Sequence, residues 1–472
     1  MRIRLLAVAL GAMSVAACKD AAAPDLNNPS VSDYSNITDV SQVQALVIGV
    51  LGNDRATIGG EILRGEIIGR DAYNLPAAEP RFVTELLGPS IDPGGFNGTA
   101  QWPYGGIRLA NIGIHGVEAA DQSVLTDEGK SATIGLLRTL KAMLFLRAIE
   151  TRDTAGAPIA VDIEPTGPVA PMACKGDVLA YIASVLDSAA TDLGSGGSDF
   201  PFQLPAGFNG FNTPASFLEF NRGLAAKVHT YLAFRDYAPP GGAPGGPVDP
   251  AELTAAETAL LASFMDTTAA TVDLLDVGPK HFYSTSSGDA TNALFGDPAA
   301  TDFRANPRVH DEADAGDDRL RKIVATSDLT SQGVGSAWAF DIYATPTDPT
   351  NILTNKELIL VKAEVEWGQG KLVQALALSN RVRAVDGKLG AKVAVSSDDV
   401  LNAILYEKRY SLLWESPDRW IDARMFGKLN GNNPPAGLGI ENGNPPLWNM
   451  PIPKPESDAR NNDLSKPGCT VN

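Results

Sequence analysis

The stretch from Lys356 to Lys428 constrains the fold more than any other part of the chain. It opens with two runs, Asn355-Lys-Glu-Leu-Ile-Leu-Val-Lys-Ala-Glu-Val-Glu-Trp367 and Leu372-Val-Gln-Ala-Leu-Ala-Leu-Ser-Asn-Arg-Val-Arg383, with small residues at Ala363, Gly370 and Ala375. This spacing predicts a helix–turn–helix repeat. Ala363 and Ala375 let two antiparallel helices approach, and Gly370 permits the turn between them.

After a loop, Ser396-Ser-Asp-Asp399 has the form of a capping box, with Ser396 capping a helix and Asp399 answering back. Leu401, Ile404, Leu405, Leu412 and Leu413 follow at helical spacing, and the same stripe carries Lys408 and Arg409. Basic side chains on an apolar stripe need acidic partners, because an unpaired buried charge is costly. Glu407, Glu415, Asp418 and Asp422 are close by, with Arg419 and Arg424 adding positive charge. The pattern reads as a structural ion-pair cluster rather than a catalytic one.

The run Tyr406-Glu-Lys-Arg-Tyr-Ser-Leu-Leu-Trp-Glu415, followed by Arg419-Trp420, Asp422 and Arg424, resembles the C-terminal signature of the SusD/RagB family of outer-membrane nutrient-binding lipoproteins. The family usually has Glu-Gly-x-Arg-Trp at the turn; here the turn is Glu415-Ser-Pro-Asp-Arg-Trp420, one residue longer. Three further segments resemble the family. Trp102-Pro-Tyr-Gly-Gly-Ile-Arg-Leu-Ala-Asn111 looks like its aromatic-led helix start, Leu146-Arg-Ala148 like its hallmark helix, and Leu447-Trp-Asn-Met-Pro-Ile-Pro453 like its closing segment. The resemblance implies a mostly α-helical fold: a tetratricopeptide-like helical-repeat scaffold with long irregular loop insertions.

The N-terminus points the same way. Arg2 and Arg4 precede an apolar segment from Leu5 to Ala17, too short for a typical membrane-spanning helix and built like a secretory signal. Val15-Ala-Ala-Cys18 resembles a bacterial lipobox. Residues 1–17 are therefore expected to be a lipoprotein signal peptide, with Cys18 lipidated. Lys19-Asp20 resembles the surface-export signals of some such lipoproteins, and Asp25-Leu-Asn-Asn-Pro29 the start of mature family members. The polar, Pro- and Asn-containing residues 18–36 suit a tether. Residues 37–472 are expected to form a single SusD-like domain. Of the remaining cysteines, Cys174 and Cys469 can pair in an oxidising compartment, but sequence alone leaves their connectivity open.

Helical periodicity predicts further helices at Ser41–Leu51, Ile134–Glu150 and Asn221–Arg235, one starting at Asp249-Pro250, and one after Asp177 as its cap. Gly- and Pro-rich sequence between Gly59 and Gly113 predicts loops, as does the weakly periodic region from about Thr267 to Thr350. Long irregular loops on a rigid scaffold are where binding usually resides.

Catalytic signatures are missing. His115, His229, His281 and His310 form no His-Glu-x-x-His pair, no Gly-x-Ser-x-Gly elbow occurs, and Val124 stands where a phosphate loop before Gly129-Lys130-Ser131 needs its first glycine. In the acidic run Asp311–Asp318, Ala313 and Ala315 occupy ligand positions of the EF-hand frame, so the run reads as a solvated acidic loop. No metal or cofactor is expected. A net charge of −18 with no Lys/Arg run argues against nucleic acid.

What the resemblance implies is binding without turnover: capture of an oligosaccharide, or a peptide or other nutrient polymer fragment, and delivery to a SusC-like TonB-dependent transporter. Such a protein sits in the outer membrane, lipid-anchored, at the cell surface. Sugar C–H faces pack on aromatic rings and hydroxyls need polar partners. Loop-borne Trp102, Tyr283 and Trp338 are the stacking candidates, with Asn97 as polar partner, whereas Trp367, Trp414 and Trp420 lie in helical context and read as core. Two alternatives remain: a lipid-anchored helical-repeat scaffold for a protein partner, and a lipid-anchored glycoside hydrolase, which needs only two carboxylates.

Overall fold

The computed structural model describes residues 37–163, 167–429, 438–467 and 469. The expected signal peptide, the lipidated Cys18 and the tether lie outside the described residues.

Helix α1 (Val40–Ile68) starts in a capping box formed by Asp39 and Gln42. It runs far beyond the expected Leu51, through Gly52, Gly59, Gly60 and Gly65. Gly59 and Gly65 read as breakers in the sequence but serve close packing: a Cβ on Gly65 would stand 2.5 Å from Pro417. Only residues 69–103 are mainly irregular, with a short strand β1 (Ala72–Asn74) and one helical turn at Arg81–Thr84.

Helices α2 (Tyr104–Ala119), α3 (Asp127–Arg152), α4 (Lys175–Gly194), α5 (Pro214–Ala233) and α6 (Pro250–Leu261) pack in sequence, each against the next. Asp249 caps α6 as expected, accepting from the N–H groups of Ala251 and Glu252. Helix α4 begins earlier than expected: Cys174 is its N-cap residue, and Asp177 sits in the first turn, where a carboxylate favours the positive end of the helix dipole.

The repeat unit forms as α7 (Asn355–Gly368) and α8 (Leu372–Val385), with Ala363 and Ala375 both fully buried and Gly370 at φ 75° in the turn. Ser396 and Asp399 make the capping box of α9 (Ser397–Ser411), which leads into α10 (Asp418–Met425). Trp367, Trp414 and Trp420 are buried. A last short helix, α11 (Lys454–Ala459), follows the closing segment, in which Trp420 Nε1 donates to Leu447 O (2.8 Å) and Met450 N to Thr151 O (2.9 Å).

The irregular half carries small antiparallel pairs. β1 pairs with β5 (Phe303–Ala305), β2 (Ala157–Pro158) with β3 (Met172–Ala173), and β4 (Lys280–His281) with β8 (Thr350–Asn351). The longest, β6 (Ile323–Ser331) and β7 (Val334–Phe340), form a hairpin with an irregularity between Ala325 and Leu329. One apolar cluster extends from Ile37, just before α1, to Met450 in the closing segment.

Charge is buried in quantity, and the expected ion-pair cluster forms in part: Lys408 takes Asp418 and Asp422, whereas Glu407 pairs with Arg319 and Arg383, Glu415 with Lys322 and Lys356, and Arg409 with acids distant in sequence. Lys408 meets Glu364 (3.0 Å), Asp418 (3.4 Å) and Asp422 (2.8 Å), and Lys227 meets Glu150, Glu357 and Asp418 within 3.2 Å. Arg409 pairs with Asp71 and Glu312, both at 2.7 Å. The acidic run is not a solvated loop. Glu312 faces Arg308 and Arg409, Asp314 faces Arg383, and buried Asp317 grips Arg319, so these carboxylates are counter-ions to buried guanidiniums.

Cys174 and Cys469 form a disulfide spanning 295 residues, which ties the chain end to the start of α4. Closing so long a loop restricts the unfolded chain, and reduction is expected to lower stability by about 2–4 kcal/mol. Denaturant midpoints with and without reductant check this. An unchanged midpoint would show that the tie contributes nothing.

Candidate functional site

Helix α1 carries the loops that hold three of the four sequence candidates. Arg64 Nε donates to Asn97 Oδ1 (3.1 Å), Gln101 Nε2 donates to Thr57 O (3.2 Å), and Arg55 Nη1 donates to Phe282 O (3.1 Å). The loop from Asp92 to Trp102 is tightly wound; a Cβ on Gly98 would stand 2.1 Å from Asp92 O, and Gln101 holds a φ of 51°.

Trp102 is half-buried at the mouth of α2. Its ring lies 4.6 Å from that of Tyr104, its Nε1 donates to Glu456 Oε2 (3.3 Å), and the Arg152 guanidinium stands 5.3 Å from its centroid. On the same loop, Phe96 packs edge-on against Phe82 (5.0 Å), with Arg81 at 4.6 Å and Arg64 at 5.8 Å from its ring. Two half-exposed rings of one loop thus each meet guanidiniums brought from other elements.

Asn97 takes a different place from the one expected. It is completely buried, and its Nδ2 donates to Glu85 Oε2 (3.0 Å) and Arg81 O (3.3 Å) while its Oδ1 accepts from Arg64. Its amide is spent on the protein, and its role is to position Arg64. Tyr283 is half-buried, with the Arg55 guanidinium 5.9 Å from its ring; burial, ahead of its neighbours, pushes its hydroxyl pKa up. Its neighbour Phe282 is exposed, and Arg55 also pairs with Asp289. Trp338 is held elsewhere, on β7 opposite Ala325, with its ring stacked on His310 at 4.1 Å and 16°.

Solved structures share this arrangement of helices and irregular insertions. A SusD superfamily protein from Parabacteroides distasonis superposes with a TM-score of 0.68 at 13% identity, covering 90% of this chain and 98% of its own. The fold is that of the SusD superfamily. A SusD-like carbohydrate binding protein from Bacteroides vulgatus gives a TM-score of 0.65 at 14% identity over 92% of this chain and 99% of its own. A structure solved with a xylogluco-oligosaccharide gives 0.57 at 17% identity over 82% of each chain. No family model matches the sequence, and no curated protein matches it.

The longer turn that sets this chain apart from the usual SusD/RagB signature has a structural account. Glu415 sits between Lys322 and Lys356, both at 2.7 Å, and Pro417 of the same turn packs against Gly65 of α1.

Sequence reasoning missed Arg55, Arg64 and Arg152, which the SusD-like fold places against the candidate rings. They stand in helices, and no local pattern marks an arginine that a distant loop will cover. A cavity of about 370 Å³ opens elsewhere, lined by Asp153, the Cys174–Cys469 disulfide, Lys175, Arg424 and Trp448. Its charges are matched: Asp153 pairs with Lys175 (2.6 Å) and Arg424 (3.0 Å) and accepts from Trp448 Nε1 (2.9 Å). Among the described residues the one grouping with metal-ligand spacing is Cys174, Asp177 and Cys469, and its two sulfurs are spent in the disulfide. No described helix is long and apolar enough to cross a membrane.

Proposed function

We propose that this protein is a lipid-anchored cell-surface binder of oligosaccharides that delivers its ligand to a SusC-like TonB-dependent outer-membrane transporter. The observation that carries the reading is the set of half-exposed, loop-borne rings Phe96 and Tyr283, which meet Arg64 and Arg55 of helix α1, together with half-exposed Trp102, in a SusD-like fold. Rings of this kind stack on sugar faces while guanidiniums bond hydroxyls. Two of the structural neighbours are a carbohydrate binding protein and a protein solved with an oligosaccharide, which supports a glycan over a peptide. The lipobox at Cys18 and the Cys174–Cys469 disulfide both fit an exported protein in an oxidising compartment. Trp338 serves as a separate stacking position on the hairpin.

Binding without turnover fits the carboxylates. Glu364, Asp418 and Asp422 come together, but they do so buried around Lys408 and away from any ring in the candidate site.

Two measurements test the reading. Affinity electrophoresis against a panel of polysaccharides is expected to show retardation, with Trp102→Ala and Tyr283→Ala each weakening binding by about tenfold, the equivalent of ~1.4 kcal/mol. Detergent-solubilised outer membranes passed over the tagged, lipidated protein are expected to yield a large TonB-dependent barrel. Recovery of a soluble protein with no barrel, and no retardation by any glycan, would favour the helical-repeat scaffold instead.

A further inference from the structure

Most of the buried cations among the described residues are matched with carboxylates. Arg147 has Asp54 and Glu61, Lys227 and Lys408 have three each, Arg319 has Asp317 and Glu407, and Arg409 has Asp71 and Glu312. Arg152 departs from the pattern. It is fully buried, yet among the described residues no carboxylate forms an ion pair with it. Its terminal nitrogens donate to Thr151 Oγ1 (2.8 Å), Ala100 O (2.6 Å) and Gly98 O (3.4 Å), and its Nε has no partner.

Arg64 also lacks an ion-pair partner among the described residues. Its Nε and Nη1 go to Asn97 Oδ1 and Gly60 O, and it is half-buried rather than sealed. The two guanidiniums repel each other, and burial, the larger effect, pulls Arg64 down to about 10 and Arg152 to about 9. Glu61, the carboxyl that also faces Arg152, is already engaged by Arg147 (3.4 Å). Glu85 faces Arg64 through Asn97. Arg70, Arg304 and Lys141 are also buried without an ion pair among the described residues, but none of them stands over the ring of Phe96 or Trp102. Of the other acids near the loop, Glu79 is held by Arg81 (2.6 Å) and Glu456 by Arg460 (2.5 Å), while Asp92 lies exposed at the loop's start and accepts from Gly94 N (2.9 Å).

Guanidinium charge without an ion pair among the described residues is therefore concentrated under one loop, beside the half-exposed rings of Phe96 and Trp102. Desolvated charge of this kind is costly unless something pairs with it. An anion arriving at the rim provides that pairing, in a site where little water screens it. We propose that the surface between Phe96 and Trp102 is a subsite for an acidic sugar residue, whose oxyanion pairs with Arg64 while Arg152 attracts it from the buried side of Trp102. This rests on the oligosaccharide reading and narrows it to glycans carrying a carboxylate or sulfate ester. A guanidinium's planar fork suits either oxyanion.

The test is calorimetric titration with matched pairs. Oligosaccharides of polygalacturonate and hyaluronan are compared with their carboxyl-reduced forms, and carrageenan oligosaccharides with their desulfated forms. At least one charged probe is expected to bind ten or more times tighter than its neutral partner, the responding pair identifying the oxyanion. Arg64→Gln is expected to collapse that ratio to near one, and Arg64→Lys, which keeps the charge, to retain part of it. Thermal melts of both variants establish that they fold. Equal binding of charged and neutral partners overturns the subsite and leaves the oligosaccharide reading standing. A preference that survives in Arg64→Gln places the anion elsewhere and overturns it as well. If neither member of any pair binds, the subsite falls together with the oligosaccharide reading for these glycans.

Discussion

Lys408→Met is expected to lower the unfolding free energy by about 3–5 kcal/mol at pH 7, the usual loss when one partner of a buried ion pair is removed. The lysine is 2% exposed at its side chain and holds Glu364, Asp418 and Asp422 together. Methionine fills much of the space but leaves these carboxylates without their shared cation. The deficit is also expected to depend on pH. In the parent protein, burial pushes the Asp422 and Glu364 carboxyls up, with Lys408 opposing it, whereas Lys227 and Lys408 together overcome burial and hold Asp418 well below the usual carboxylate range. Groups raised in the fold contribute stability that is present below their unfolded pKa and lost as pH rises through the folded value. A depressed group such as Asp418 contributes stability present above its unfolded pKa and lost on acidification. Losing Lys408 pushes all three upward, so the variant's disadvantage shrinks as pH falls and protons replace the lost cation. Urea unfolding of both proteins at pH 7 and pH 5 checks this. A deficit that is equal at the two pH values, or below ~1 kcal/mol, would falsify the account of Lys408 as the cluster's organising charge.

That cluster was legible because the signal was local. Lys408 and Arg409 interrupt an apolar stripe, with acids a few residues away. The same holds for Ala363, Gly370 and Ala375, whose spacing encodes one turn between two helices, and for Ser396 and Asp399, whose reciprocal bonds lie within a single helical turn. Reading failed where a residue's purpose lies in a distant partner. Gly59 and Gly65 looked like helix breakers, but Gly59 makes room for Ala293 and Gly65 for Pro417, so α1 continues through both. The β6–β7 hairpin gave little signal because most of β6 is at least partly exposed and its apolar alternation is weak. At the candidate site the aromatic residues stood out by type and loop context, while Arg64 and Arg152 did not. Each arginine is ordinary on its own helix, and its meaning comes from the ring it meets in three dimensions. Asn97 shows the converse, since an amide in a Gly-rich loop looks available until the loop folds it inward.

Trp414→Ala is expected to cost about 3–5 kcal/mol and to loosen the irregular insertions in preference to the helices. Trp414 is fully exposed to protein and not at all to solvent: Phe340 of β7 stacks on it at 4.0 Å and 8°, and Phe303 of β5 lies 5.4 Å away. Its Nε1 donates to Leu294 O (3.1 Å), its backbone N–H donates to Glu66 Oε1 on α1 (2.9 Å), and its carbonyl accepts from Tyr343 Oη (3.3 Å). One side chain therefore ties both strand pairs and the 294 segment to the scaffold. Alanine removes that contact and leaves the Leu294 carbonyl without its donor. The backbone at Trp414 sits at φ 62°, a conformation that disfavours any residue with a Cβ, so the packing must outweigh a strain of roughly 1–2 kcal/mol. Glycine relieves that strain and carries a similar entropy penalty, so Trp414→Gly is expected to be no less stable than Trp414→Ala. Guanidinium unfolding measures the loss. Limited proteolysis locates it, with new cleavage expected between residues 284 and 340. Cleavage confined to the helices, or a loss below ~1.5 kcal/mol, would mean that the loops bearing the candidate rings are anchored by something other than Trp414.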